Sequence, residues 1–550
     1  MPHRASLYAA IVVLAIGASA TSLQNGFALD DIALVAENAR VHSLDGWWRL
    51  FATPYWPPQY GASLYRPIVT LGYALQWTAG HGAPWVFHVS SIFLYAAASA
   101  LVLALLLLLL PAASAFMGAA LFAVHPVHVE AVANVVGQSE LLAALATLSA
   151  VVIYVSKRQR NALTSRGIAA LGVLYAIACL SKEHGILLPA LLVAIELLAI
   201  PPSPTASSFR ERIRSVAPLF LVLGAIAIAY IIVRTMVLGD ALGEKHLVPV
   251  YGIARLWVML AVAPHWVRLL MWPAHLSADY SPHEIAIPSG PAPETVVGFV
   301  LLTAAIVAFF ALGRPGANDA RRAIRTGLAW LAITLLPVSN LFSVMLVAER
   351  TLFFPSVGAM LVVGSLAALA IRRLGDRRGV ATRVAVAGVS TLLVSLGAVR
   401  SSERQRVWRD DVSLFAQTVK DAPTSYRAQF FYGQILFANG RRVEGEHHLA
   451  LAIALNPTPS DVSPLNYLAT QYRDAGMCPQ AIPLYERAFA HDAARPDVRY
   501  GLAECLLEQG RVTEARVLAT EGVKRGDLAP LFRTLAARVD SSDRARSAPR

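Results

Sequence analysis

The sequence is poor in charge. Asp, Glu, Lys and Arg make up 15% of its 550 residues, against roughly 25% in soluble globular proteins. With 56% hydrophobic residues, this excludes a wholly soluble enzyme and a disordered chain. Cysteine is scarce: Cys179, Cys478 and Cys505 give neither a zinc spacing nor a disulfide framework. A Cys478–Cys505 bridge and the redox compartment stay open. There is no Walker loop, no GxGxxG after a strand and no GxSxG elbow, so nucleotide-driven and serine-hydrolase chemistry have no footing.

What the chain does have is apolar length. Mean hydropathy is +0.53, and stretches such as 85–110 and 216–233 suffice for a bilayer, which takes about 20 residues per helix. Residues 5–23 read as a retained first helix in preference to a cleaved signal peptide. Spans follow near 85–110, 112–124, 131–155, 167–181, 185–200, 216–238, 296–313, 326–342, 352–371 and 380–399. Residues 253–272, broken by Pro264-His265 and Arg268, read as interfacial or re-entrant. The total is about eleven crossings, with 24–84 as a long first outside loop rich in Trp, Tyr and Pro. The net charge of +12 is local: basic loops at 157–166, 210–214, 314–325 and 372–383 all fall inside if the N-terminus is inside. Nucleic acid is therefore not an expected partner; the bilayer is.

From about Ser401 the apolar runs shorten. Gly440, Gly476 and Gly510 recur at 36 and 34 residues, the period of tetratricopeptide (TPR) repeats. Small residues recur in step: Gly433, Ala469 and Ala503; Gly445, Ala481 and Ala515; Ala452, Ala488 and Gly522. Pro457 closes the first repeat. The expected architecture is all-α: a membrane domain at 1–400, TPR-like hairpins forming an α-solenoid at 401–535 on the outside face, and a polar tail at 536–550.

Polar residues at membrane depth are costly and mark function. They cluster at outer ends of spans. Asp30-Asp31 can hold a metal, or split in pKa and supply a general base, or simply sit in a solvated loop or cap a helix. His125, His128 and Glu130, with Glu140 beyond, can bind a metal, a phosphate or a hydroxyl, or cap helices. Ser181-Lys182-Glu183-His184 breaks an apolar segment, as an anionic-substrate site or an internally neutralised pair. Arg66 and Arg350 can snorkel, or converge with Lys182 on one phosphate.

Taken in order, segments 27–31, 63–67, 122–140, 181–185, 272–280, 330–340, 349–358 and 408–415 resemble the transmembrane and tetratricopeptide-repeat O-mannosyltransferases of the GT-C glycosyltransferase superfamily. Gln138 departs from the pattern, standing where an Arg is expected, and the repeat array is short. The resemblance implies a GT-C-like membrane domain that takes a polyprenyl-phosphate-linked sugar, with a mannose-like hexose favoured. The acceptor is a Ser/Thr hydroxyl of an exported protein or peptide presented by the repeats. Asp30 or Asp31 acts as base in an inverting attack at C1. Arg66, Lys182 and Arg350 hold the donor phosphate, and His125, His128, Glu130, Glu140 and Glu183 orient the sugar, the acceptor or the cations. No cofactor is named, and a divalent metal stays open. A bacterial inner membrane with periplasmic repeats is favoured over an endoplasmic reticulum membrane. The competing readings are a non-catalytic membrane-anchored TPR scaffold, and a lipid-linked-sugar flippase, which would show internal symmetry between halves.

Overall fold

The computed structural model describes residues 2–61, 63–160, 162–201, 209–239, 250–313, 319–341, 346–456, 458, 461–526 and 528–547. Among these there is helix and no strand. Two compact units emerge: Met1–Tyr280 with Ala286–Gln417, and Ser281–Ile285 with Thr418–Arg550. The division falls at Gln417, not at 400, because the helical stretch Phe353–Gln405 runs through 400.

In the first unit, seven described helices are long and apolar enough to cross a bilayer, or eight if the bent pair Ala112–Ala123 and Pro126–Ala133 counts as one. The expected eleven is not reached by that measure. Ser165–Ser181, Leu188–Leu198 and Asp319–Leu335 are 17, 11 and 17 residues long, and the last carries Arg321, Arg322 and Arg325 in its first turns. Segment 253–272 forms a helix, Ala254–Met271, that continues through Pro264. The helix Pro2–Ser19 is packed into the bundle, with Ile11 and Ala15 fully buried.

The stretch Phe353–Gln405 folds back on itself. A straight helix would put residues 360 and 397 about 55 Å apart. Yet Gly118 abuts the Met360 carbonyl, Gly397 abuts Val124 at the end of the same short helix, and Met360 and Leu396 line one cavity. Two apolar windows, Glu349–Arg373 and Val384–Arg409, make up the two limbs. At the far end of Gln138–Gln159 from Glu140, Glu196 takes Arg158 (2.6 Å), Arg212 (2.9 Å) and the Tyr154 hydroxyl (2.7 Å). Asp319 and Arg322 line a cavity there with Gln159. Arg158, Arg212 and Arg322, one from each of three basic segments, therefore share one end of the bundle.

The segment 24–84, expected as the first outside loop, holds more structure than its composition suggests. Pro67 opens a 14-residue helix, Pro67–Gly80, which His81 ends in the left-handed conformation. Arg40 donates to the Pro54 and Tyr55 carbonyls at 2.9 and 3.0 Å and ties the loop together.

The second unit is a stack of helical hairpins. Tyr426–Ala438 pairs with Arg442–Leu455, Ser463–Asp474 with Cys478–His491, and Pro496–Glu508 with Val512–Arg525. Gly440, Gly476 and Gly510 have φ of +75°, +73° and +74°, left-handed turns that glycine alone adopts freely. The small residues repeating in step with them are buried; a Cβ at Gly445 would sit 3.0 Å from the Gly433 carbonyl oxygen. Cys478 and Cys505 form a disulfide between successive hairpins. Pro457 lies outside the described residues. A last helix, Ala529–Ser547, crosses the expected boundary at 535 and buries Phe532, Leu535 and Val539, an apolar stripe at helical spacing.

Candidate functional site

Asp30 and Asp31 follow Leu29, a non-glycine residue with φ of +57°. The turn sends the two carboxylates different ways. Asp31 is buried, 1% exposed, and accepts the Val135 and Val136 amides at 3.0 and 2.8 Å. Burial pushes its carboxyl up to about 8, against the opposing pull of those two amides. The Asp30 side chain is 26% exposed and lies 3.4 Å from the Arg350 guanidinium.

Arg350 is the hub of the first group. Its backbone N–H donates to Glu130 at 2.8 Å, and its guanidinium lies 3.5 Å from the same carboxylate. Both of its ion pairs are long, beyond the best hydrogen-bond range. Lys182 pairs with Glu140, which His184 approaches at 3.7 Å. Arg66 donates through Nε and Nη2 to both oxygens of Glu183, the shortest contact being 2.8 Å. It also stacks over the Tyr55 ring at 5.1 Å.

Burial lowers the Lys182 ammonium, Glu140 opposes this, and Arg66 and Arg350 lower it further. The three cations are thus close enough to feel one another. For Glu183, burial acts upward, but the charge and hydrogen bonds of Arg66 prevail and hold the carboxyl down at about 2.

The two histidines lie outside this ion cluster. His125 accepts the Val127 amide at 3.3 Å and meets the Leu270 carbonyl at 3.0 Å. His128 meets the Tyr95 hydroxyl at 3.0 Å and Ser356 at 2.8 Å, packed among Phe122, Phe353 and Tyr95. Both rings tie helix ends together. Among the described residues, no three His, Cys, Asp or Glu side chains form a metal-binding group. Gln138, at the position that departs from the family pattern, is satisfied without charge: it exchanges hydrogen bonds with Gln76 at 2.9 Å and donates to the Phe87 carbonyl at 3.1 Å.

Glu349 stands in the same polar cluster as Arg350 but has no role assigned to it from the sequence. Its buried carboxylate accepts the Ser277 amide and the Tyr280 hydroxyl, both at 2.6 Å, so consecutive residues 349 and 350 face the 272–280 loop and the ion cluster respectively. Its place beside Arg350 was the available signal. An apolar cavity of about 350 Å³ lies beside His125, lined by Leu121, Leu270, Trp272, Met360 and Leu396, with Arg400 at its wall.

A tetratricopeptide-repeat family profile matches residues 472–539. A protein O-mannosyl-transferase of Caenorhabditis elegans is 26% identical over 464 residues, covering 82% of this chain and 62% of that protein. Protein O-mannosyl-transferase TMTC3 of Mus musculus is also 26% identical, covering 72% of this chain and 45% of its own length. The chain thus spans about half to three-fifths of these two relatives. Among solved structures, the archaeal oligosaccharyltransferase AglB from Archaeoglobus fulgidus, in complex with an inhibitory peptide and a dolichol-phosphate, overlaps 73% of this chain and 55% of that one. Its identity is 12% and its TM-score 0.42, too loose an overlap to fix fold or activity. The chain is a multi-pass membrane protein with C-terminal tetratricopeptide repeats, and it resembles the protein O-mannosyl-transferases over 82% of its length.

Proposed function

We propose that this protein is a GT-C-like membrane glycosyltransferase. It moves a sugar, with a mannose-like hexose favoured, from a polyprenyl phosphate to a Ser/Thr hydroxyl of an exported protein. The observation that carries the reading is the single cluster in which Arg66, Lys182 and Arg350 are each held by a carboxylate, with Asp30 partly exposed at its edge.

Asp30 acts as the base. The acceptor oxygen attacks C1, its proton passes to the Asp30 carboxylate, the C1–O bond to phosphate breaks, and C1 inverts. Charge develops on the departing phosphate, which fixed cations stabilise without reorganising. Arg350, whose ion pairs are long, is the readiest of the three to turn toward it. Glu130, Glu140 and Glu183 hold the cations in place, while His125 and His128 set the helix ends that carry them. Asp31 anchors the Asp30 turn. The apolar cavity beside His125 suits an isoprenoid tail, and the TPR unit presents the acceptor on the exported side, periplasmic in a bacterium.

The test incubates the detergent-solubilised full chain with polyprenyl-phosphate sugars and a Ser/Thr-rich peptide, and reads peptide mass and product anomer. The expected outcome is a hexose mass increment with the anomer inverted relative to the donor. A retained anomer would overturn the single-displacement mechanism. No increment from any donor would favour the scaffold reading.

A further inference from the structure

The base proposed above stands on a piece of backbone that L side chains rarely adopt, the left-handed turn at Leu29. Such a turn persists only when its surroundings hold it. One flank is held by Asp31 through the Val135 and Val136 amides. The other flank lies against a segment far away in sequence. Asn25 donates its side-chain amide to the Gln405 carbonyl at 2.9 Å, and the Gly26 N–H donates to the Arg409 carbonyl at 2.8 Å. The Leu29 N–H donates to Asp411 Oδ1 at 2.6 Å.

Only the last of these falls on the strained residue itself, and only it is made by a side chain of the distant segment. The Asp411 carboxylate is not needed to cap its own helix, Asp411–Asp421. The preceding Asp410 does that, accepting the Ser413 N–H at 2.7 Å. A charge-assisted bond this short is among the stronger ones a backbone amide makes.

We propose that Asp411 is a positioning residue of the reaction centre: its carboxylate holds the Leu29 amide in the left-handed turn and so sets where the Asp30 carboxylate meets Arg350. This rests on the reading of Asp30 as the base. Asp411 touches neither donor nor acceptor, and it acts on the reaction through one backbone amide.

The test compares the full-length parent with Asp411→Ala, Asp411→Asn, and Asp411→Ala combined with Leu29→Gly. Glycine enters the left-handed region freely, so it should restore the turn without the carboxylate. Two quantities are read: kcat and donor KM for sugar transfer, and amide hydrogen exchange in peptides covering residues 25–31. Asp411→Ala is expected to lower kcat roughly 10- to 100-fold, the scale of a small misplacement of a reacting group. Donor KM should hardly move, and exchange should quicken at 25–31 with the rest of the chain unchanged. Asp411→Asn, which keeps an acceptor oxygen, should stay near the parent, and Leu29→Gly should return most of the lost kcat.

The proposal is overturned if Asp411→Ala leaves exchange and kcat at parent values, or if the Leu29→Gly combination is as impaired as Asp411→Ala alone. A parent that transfers no sugar would sink the glycosyltransferase reading separately. Exchange would then still decide the Asp411 contact: quickening confined to 25–31 supports it, and unchanged or chain-wide exchange refutes it.

Discussion

Asp30 and Asp31 are adjacent in the chain and opposite in role: Asp31 is buried on the Val135 and Val136 amides, whereas Asp30 reaches toward Arg350. Removing the first therefore leaves the buried Val135 N–H without this acceptor, and the Val136 N–H with only its longer 3.3 Å contact to Asn134, at about 1–3 kcal/mol for a buried donor left unmet. Asp31→Ala should lower the thermal midpoint of the detergent-solubilised protein by several degrees, and Asp30→Ala should barely shift it. Equal shifts would show that the two carboxylates are not so divided.

The Asp31 carboxyl, raised by burial to about 8, gives stability a pH dependence of definite sign. Between its unfolded value near 4 and about 8, the folded chain binds a proton that the unfolded chain does not. Stability from this group is full below pH 4 and is lost as pH rises through 8. The parent's midpoint should fall from pH 5 to pH 8.5 more steeply than that of Asp31→Asn, which cannot titrate there. Parallel slopes would rule this out.

Arg66 grips both oxygens of Glu183 through two of its nitrogens, a fork that lysine lacks. Arg66→Lys keeps the charge and loses the geometry. Donor KM should rise about tenfold, equivalent to about 1.4 kcal/mol, in steady-state transfer assays. An unchanged KM would place the donor phosphate elsewhere.

Some of this is legible in the sequence because the physics is local. The repeat glycines announce themselves because left-handed turns recur at a fixed interval. Arg66, Lys182, Glu183 and Arg350 stand out because charge beside apolar spans has no cheap explanation. Other features depend on partners remote in the chain. Nothing around His128 foretells its cage of Tyr95, Phe122 and Phe353. Which of two adjacent aspartates faces the cluster is set by Val135 and Val136, more than a hundred residues away. The helix Pro67–Gly80 was hidden inside an aromatic-rich loop, although Pro67 and Gly80-His81 mark its ends.

The hairpin packing separates two kinds of glycine. A Cβ at Gly445 would sit 2.6 Å from the Phe437 ring and 3.0 Å from the Gly433 carbonyl, whereas one at Gly476 meets nothing within 4 Å. Gly445→Ala must push two helices apart, costing about 1–3 kcal/mol. Gly476→Ala costs only the left-handed turn, about 1 kcal/mol. Limited proteolysis of the full chain should therefore cut the helical repeats faster in Gly445→Ala than in Gly476→Ala, and the reverse order would contradict the packing described.

The most direct measurement is sugar transfer by the parent and by Asp30→Asn, from a polyprenyl-phosphate hexose to a Ser/Thr-containing peptide, with both proteins shown to be folded. The account predicts a hexose mass increment for the parent and a loss of kcat of about 10²–10⁴-fold in the variant, the scale of an absent general base. Transfer by Asp30→Asn at the parent rate would contradict it, because the one exposed carboxylate of the cluster's acidic pair would then have no part in the chemistry.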